Sequence, residues 1–197
     1  MNQFTDRQIE IMEAATARID MHGIQNLTIK NLAADLGVSE PALYRHFDGK
    51  NEILLGVLRY FKDRMELRLQ ELLQASYNSD AEQLRAIFMS QLTTFTARPA
   101  IVSVMFAESI FQFDDRLNAA VLDIMTIVRS YVEKNIKHGQ KTGEYSSFLG
   151  AEAMTTIITG AMRMAVLTWK LSGRKSNLIR NGTVVLDGII TMISHNH

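Results

Sequence analysis

Residues 28–47, TIKNLAADLGVSEPALYRHF, decide the fold of this chain. The apolar positions in the first half of the stretch recur at three- and four-residue spacing, which places them on one face of a helix. Gly37 then permits a sharp turn out of that helix, and Ser39 is a suitable N-cap for a second one. Leu43 and Phe47 are four residues apart and point back towards the core. The stretch therefore predicts a helix-turn-helix, whose second helix is shaped to enter a DNA major groove.

The segment before this stretch predicts a further helix that ends at Gly23, with an apolar stripe formed by Ile9, Met12, Ala15 and Ile19. Within the stretch and just after it, the positions that carry a family resemblance are Thr28, Ala33, Gly37-Val38-Ser39, Leu43-Tyr44-Arg45-His46-Phe47 and Lys50. Their order resembles the DNA-binding domain of tetracycline-repressor (TetR) family regulators. The resemblance covers the first quarter to third of the chain. It implies an N-terminal DNA reader followed by a domain that holds an inducer and forms a dimer.

The composition is that of a folded globular protein. The chain has 197 residues, 47% of them hydrophobic, and only two prolines, so most of it can form long helices. The absence of cysteine excludes disulfides, thiol catalysis and cysteine-based metal sites. The sequence contains neither a secretory signal nor an apolar run of the roughly 20 residues that a membrane span needs. We therefore expect a cytoplasmic protein without membrane association, cofactor or metal.

The charge distribution does not by itself support DNA binding. The net charge of the chain is zero, and residues 1–50 carry five basic and seven acidic residues, a net charge of −2. A strong nonspecific DNA binder is expected to be basic. Binding would then depend on where the charges lie, and Lys30, Arg45 and Lys50 cluster around the second helix. Helix N-termini can also offer amide N–H groups to phosphates.

The rest of the chain follows a helical pattern. An apolar stripe predicts one long amphipathic helix over residues 50–75, and further helices follow, separated by capping residues and glycines. No alternating strand pattern, repeat or low-complexity tract is present. The predicted fold is all-α with about nine helices. Residues 1–48 form a helix-turn-helix DNA-binding domain, and residues 49–197 form a helical ligand-binding and dimerisation domain.

Side chains in and around the second helix are the candidate DNA contacts. Thr28 and Lys50 stand at helix starts, where they would join backbone N–H groups at a phosphate. Tyr44 and His46 would donate to backbone phosphates, which position a protein without reading sequence, and Lys30 adds a nearby cation. The base-reading candidates are Ser39, Glu40, Pro41, Ala42 and Arg45.

Each of these roles has a plainer alternative. Arg45 suits the edge of a guanine and Ala42 a thymine methyl group, whereas Glu40 could accept from cytosine or equally favour the helix dipole. Tyr44 and His46 could merely cover the surface of a helix.

The second domain is rich in large, adaptable side chains. Most of them serve a core, but thioethers and aromatic rings also line pockets that accept apolar ligands. The resemblance implies an inducer pocket, and the candidate lining residues are Met89, Phe95, Met105, Phe106, Glu108, Phe111, Met125, Tyr131, Arg163 and Trp169. Arg163 and Glu108 could orient a ligand, pair with each other or be structural.

The last two predicted helices each carry a wide apolar surface. Two such faces suit a four-helix bundle made by two subunits, and the resemblance implies the same homodimer. The candidate interface residues are Ile157, Ala161, Met164, Ala165, Thr168, Val185, Ile189 and Ile193. Alternatively these helices close the core of the monomer, which part of each must also do.

The sequence thus predicts a homodimeric, ligand-responsive transcription regulator, expected to be a repressor that a small, largely apolar inducer releases from a palindromic operator. Enzyme motifs are not evident, and the histidines, which lack metal-ligand spacing, are His22, His46, His138, His195 and His197. Two alternatives remain at this point. One is a helical ligand-binding module or small enzyme on the same fold that does not bind DNA, and the other is a structural helical oligomer.

Overall fold

The computed structural model describes residues 4–107 and 114–194. These residues form nine α-helices and one 3-10 turn, and they contain no β-strand, only an isolated bridge between Tyr145 and Ser194. The predicted all-α fold with about nine helices is confirmed. The helices are α1 (Asp6–His22), α2 (Ile29–Leu36), α3 (Glu40–Tyr44), α4 (Lys50–Gln74), α5 (Asp80–Ala97), α6 (Pro99–Met105), α7 (Asp115–Thr142), α8 (Ala151–Leu171) and α9 (Leu178–Ile193), and the 3-10 turn is Ile24–Asn26.

Helix α1 begins with a capping box. The Thr5 hydroxyl accepts from the backbone N–H of Gln8, and the Gln8 side chain accepts in return from the backbone N–H of Thr5, at 3.0 Å. The buried face of the helix consists of Ile11, Met12, Ala15 and Ile19. Ile9, which the spacing assigned to this face, is half-buried, and Ile11 is fully buried instead.

The helix-turn-helix has the predicted turn but a shorter second helix. Gly37 ends α2 in the left-handed conformation, with φ 65°. Helix α3 covers only Glu40–Tyr44, so it ends before Phe47, which its spacing from Leu43 placed on the same helix. The chain tightens there because the backbone N–H groups of His46 and Phe47 both donate to the carbonyl of Leu43, at 2.9 and 3.1 Å.

A glycine inside α4 lets the helix-turn-helix pack closely against it. A Cβ atom added at Gly56 would lie 2.9 Å from Met12 Sδ and 3.1 Å from Phe47 Cε1, both tighter than ordinary contacts. Phe47 and Leu43 are buried, as their spacing predicts. The end of α3 is therefore anchored by apolar side chains that leave its polar side chains outside.

The contacts between residues divide the chain into two compact units. Unit 1 consists of residues 1–63 and 98–123, and unit 2 consists of residues 64–97 and 124–197. The boundary falls inside α4 and inside α7, so both units contain part of each of these helices. These packed units do not follow the predicted domain boundary after residue 48, and the division of functions at that boundary stays a prediction.

In unit 2, helix α9 packs against α5 and α8. A Cβ atom at Gly182 would lie 2.2 Å from Leu92 Cδ1, which shows how closely α9 approaches α5. The Glu144 carboxylate caps α5 by accepting from the backbone N–H groups of Asp80 and Ala81, at 2.7 and 2.8 Å. None of the helices within the described residues is both long and apolar enough to cross a membrane.

Candidate nucleic-acid interface and ligand-binding region

The surface of the helix-turn-helix exposes most of the predicted DNA contacts. The Tyr44 side chain is 51% exposed, although it directly follows the buried Leu43. The other exposed candidates are Thr28, Lys30, Ser39, Glu40, Pro41 and Arg45, and the half-buried ones are Ala42, His46 and Lys50. The fold thus brings the predicted contacts together on α2, α3 and the residues next to them.

The two hydroxyl candidates differ in what they already bind. The Thr28 hydroxyl is the N-cap of α2 and accepts from the backbone N–H of Asn31 at 3.1 Å. Ser39 stands at the N-cap position of α3, but its side chain makes no capping hydrogen bond. The Ser39 hydroxyl is therefore not required by its own helix.

Lys50 has a structural partner. Its ammonium group donates to the carbonyl of Ile24 at 3.2 Å and so ties the start of α4 to the 3-10 turn. Burial lowers the pKa of Lys50. Its predicted phosphate contact stays a prediction, which would use the other two ammonium protons.

The two arginines of α1 are held in ion pairs, whereas Lys30 and Arg45, on and near α2 and α3, form none among the described residues. Arg18 binds Asp35 through two hydrogen bonds, one of them 2.6 Å from Nη2 to Oδ1, and this lowers the pKa of Asp35. Arg7 pairs with Glu10 at 2.5 Å. Within residues 4–107 and 114–194, no carboxylate lies within 4.0 Å of the cationic groups of Lys30 and Arg45. These two cations are thus available to an external anion.

The structure adds Arg59 of α4 to the candidates. A groove of about 240 Å³ is lined by Tyr44, Arg45, His46 and the exposed Arg59, and the acidic residues Asp48 and Glu52 also line it. Gln8 Nε2 donates to the carbonyl of His46 at 3.3 Å and fixes the α3 end of the groove. Sequence reasoning missed Arg59 because nothing in the pattern of a long amphipathic helix shows which of its polar residues approaches α3.

The predicted ligand-lining residues fall into both units. Met105 and Phe106 belong to unit 1, whereas the remaining described candidates belong to unit 2. In unit 2 the Arg163 guanidinium lies 3.9 Å from Met125 Sδ, and the Thr183 hydroxyl lies 3.4 Å from Met89 Sδ. Phe95, Tyr131 and Trp169 are buried there. Glu108 and Phe111 lie outside the described residues, and so does the proposed pairing of Glu108 with Arg163.

Helices α8 and α9 expose an apolar surface. A groove of about 370 Å³ is lined by five of the predicted interface residues, Ala161, Met164, Ala165, Thr168 and Val185. Ile157 is also exposed. Ile189 and Ile193 are each only 6% exposed and contribute to the core of their own subunit, and their predicted part in the interface stays a prediction. The exposed apolar residues of α9 are Val184, Val185 and Met192.

The turn at Gly37 joins α2 to α3, and α3 buries Leu43 while Glu40, Tyr44 and Arg45 stay exposed. This arrangement defines the class of helix-turn-helix DNA-binding proteins. The family model described as "Bacterial regulatory proteins, tetR family" matches residues 11–57, and the model described as "YsiA-like protein, C-terminal region" matches residues 61–192. The chain belongs to the TetR family of bacterial transcription regulators, as the sequence predicts.

Individual proteins resemble the chain over most of its length. The nucleoid occlusion factor SlmA of Idiomarina loihiensis is 30% identical over 152 residues, which are 77% of this chain and 76% of that protein. The fatty acid degradation regulator FadR of Bacillus halodurans has the same fold, with a TM-score of 0.84 and 17% identity over 99% of this chain and 100% of that one. FadR of Bacillus subtilis, solved in complex with stearoyl-CoA, has a TM-score of 0.79 and 17% identity over 94% and 98% of the two chains.

These comparisons favour regulation over the two alternatives. The family model that matches residues 11–57 is one of bacterial regulatory proteins, and the relative that is 30% identical is a nucleoid occlusion factor. Among the described residues, no group of three or more His, Asp or Glu side chains is placed to hold a metal ion.

Proposed function

We propose that this chain is a repressor that binds a palindromic DNA operator as a homodimer and leaves it when a small, largely apolar ligand binds. The observation that carries the proposal is the end of α3. There Leu43 and Phe47 are buried while Tyr44 and Arg45 are exposed. A rigidly anchored helix end with an exposed aromatic hydroxyl and an exposed guanidinium is suited to a duplex.

The proposed DNA contacts divide into two kinds. The guanidinium of Arg45 and the N-terminal residues of α3 read base edges, with Ser39, Glu40, Pro41 and Ala42 nearest the helix start. The contacts to backbone phosphates are made by Thr28, Lys30, Tyr44, His46 and Lys50.

Arg59 adds a further phosphate contact. It is exposed, it shares a groove with Tyr44 and Arg45, and it has no carboxylate within 4.0 Å among the described residues. A chain whose first 50 residues have a net charge of −2 needs such cations to approach DNA. Arg64, exposed on the same helix but outside the groove, is the matched control position.

The proposed dimer pairs the α8 and α9 faces of two subunits. The exposed apolar side chains Ile157, Met164, Val184 and Met192 would pack against the same surface of the second subunit across a two-fold axis. Two-fold symmetry requires two operator half-sites about 34–36 Å apart, or a multiple of this distance. Helix α4, continuous from Lys50 to Gln74, is our candidate for carrying the effect of the ligand to the DNA-binding end.

The ligand can shift DNA binding only by as much as its affinity differs between the two states. Large apolar side chains of unit 2, among them Met89, Phe95, Tyr131 and Trp169, favour a ligand with a long apolar part. Stearoyl-CoA is the first compound to test, because a protein of this fold was solved with it.

The experiment selects bound fragments from genomic DNA and measures their affinity by fluorescence anisotropy with and without stearoyl-CoA. The proposal predicts a palindromic motif, two subunits per site and weaker binding when the ligand is added. Failure to enrich any sequence would contradict it.

Nucleoid occlusion is a second candidate function, favoured by the 30% identity with SlmA of Idiomarina loihiensis. Deletion of the gene separates the two roles. A regulator changes the transcripts of genes next to its sites, whereas a nucleoid occlusion factor changes where cells divide relative to their chromosome. In either role the protein would act where the chromosome is, in the cytoplasm.

A further inference from the structure

Helix α5 carries a buried amide that the rest of the described chain does not satisfy. The Gln91 side chain is 1% exposed, and neither its Oε1 nor its Nε2 atom has a hydrogen-bond partner among the described residues. A buried donor or acceptor left unpaired has lost its hydrogen bonds to water without gaining one in the protein, which destabilises the fold. Native structures rarely keep such a group without a reason.

The setting of Gln91 is apolar along its own helix. One helical turn away on either side lie Phe88 and Phe95, which are both buried. The opposite case is Gln140 of α7, also in unit 2. Its Nε2 atom donates to the carbonyls of Ser146 and Leu149, at 3.1 and 2.8 Å. The amide of Gln140 thus holds two backbone carbonyls in place, whereas the amide of Gln91 makes no hydrogen bond of this kind with the described residues.

Helix α8 carries a second group of this kind. Thr155 is 0% exposed, and its hydroxyl has no partner among the described residues. The neighbouring threonines of the same helix behave differently. Thr156 and Thr159 donate to the carbonyls four residues earlier, at 3.0 and 2.7 Å. The hydroxyl of Thr155 leaves this usual acceptor unused.

Gln91 and Thr155 both belong to unit 2, and the helices that carry them contact each other. Each residue lies on the buried face of its helix. The interior of unit 2 therefore contains one donor–acceptor amide and one hydroxyl that its folding does not use. In the domain for which we propose an apolar ligand, these two neutral groups can help to orient a ligand.

We infer that Gln91 and Thr155 form the polar recognition point of the ligand site. This inference rests on the proposed function, because it assigns residues and a ligand class to that site. The ligand class is a long apolar body joined to a neutral group that both donates and accepts, as a secondary amide does. The two amides of an acyl-CoA supply such groups and its thioester adds an acceptor, whereas a free fatty acid presents a carboxylate that a neutral amide cannot compensate on burial.

The first test uses the free protein. Gln91→Leu removes an unpaired amide at nearly constant volume, so its melting temperature should rise above that of the wild type. Gln140→Leu, the matched control, breaks two hydrogen bonds and should lower it. Thr155→Val should likewise raise the melting temperature, whereas Thr159→Val should not. A fall for Gln91→Leu as large as that for Gln140→Leu overturns the inference, because Gln91 would then be structural.

The second test measures binding of stearoyl-CoA and of stearate through the fluorescence of Trp169, the single tryptophan of the chain. The wild type should bind stearoyl-CoA at least tenfold more tightly than stearate. Gln91→Leu should weaken stearoyl-CoA binding about tenfold, and Thr155→Val should weaken it severalfold.

The outcomes separate the two proposals. Equal binding of stearoyl-CoA by wild type and Gln91→Leu overturns the inference, and so does tighter binding of stearate, while the repressor function stands. If the wild type binds stearoyl-CoA but no operator, the repressor function is overturned. The role of Gln91 is then decided by comparing stearoyl-CoA binding of Gln91→Leu with that of the wild type. No binding of stearoyl-CoA by the wild type overturns the ligand class, whatever the protein does with DNA.

Discussion

The substitution Met164→Glu should dissociate the proposed dimer. Met164 is 62% exposed on α8 and lines the groove shared with α9. Complete burial of a methionine side chain contributes about 1.5–3 kcal/mol, so burial of the exposed part contributes about 1–2 kcal/mol. A two-fold axis presents the residue twice, and the loss becomes about 2–4 kcal/mol. This weakens dimerisation by about 30- to 700-fold, and the buried glutamate adds a further desolvation cost.

Sedimentation velocity over a dilution series measures the effect. The wild type should remain a dimer at concentrations where Met164→Glu is a monomer, and the two should have the same circular dichroism. Met21→Glu is the matched control, because Met21 is an equally apolar residue, 70% exposed, on α1. It should dimerise as the wild type does. If Met164→Glu dimerises equally well, the two subunits do not meet through α8 and α9.

Three further predictions concern DNA approach, pH and packing. Arg59→Ala should reduce the slope of log K for DNA against log salt concentration by about 1.8 in anisotropy titrations, because the dimer loses one phosphate contact in each subunit and each contact contributes about 0.9. Hydrogen bonds from Arg116 lower the pKa of Asp114 to about 2, below its ordinary 3.8. The folded state is therefore stabilised fully above pH 3.8, and this stabilisation is lost as the pH falls towards 2. Urea unfolding of Asp114→Asn, measured over this pH range, should lack this part of the pH dependence. Gly139→Ala should lower the free energy of unfolding by at least about 1–3 kcal/mol in urea titrations, because the added Cβ would lie 2.2 Å from Cδ2 of the buried Tyr145 ring.

Local patterns predicted the features that depend on neighbours in the sequence. The burial of Leu43 with the exposure of Tyr44 follows from helical periodicity, and Gly37 marks its turn because few other residues adopt φ 65° at low cost. Phe47 is buried as its spacing predicts, although it lies beyond the end of α3. The length of α3 was not predictable in this way. Its end is set by two N–H groups that converge on the carbonyl of Leu43, and no glycine or proline marks the place.

The features that depend on tertiary packing escaped sequence reasoning. Ile189 and Ile193 have the same apolar character as Val184 and Met192, and only the direction in which α9 packs against α5 and α8 separates core from surface. Gln91 resembles any polar residue inside an amphipathic pattern until its surroundings are known.

The central claim is that the exposed end of α3 docks into DNA. Quantitative binding of the selected operator by wild type, Arg45→Ala and Tyr44→Phe tests it most directly. We expect Arg45→Ala to lose about 1–3 kcal/mol of discrimination at one base pair in each half-site, and Tyr44→Phe to weaken binding to all sequences alike. If both variants bind every sequence as the wild type does, α3 is not the element that contacts DNA.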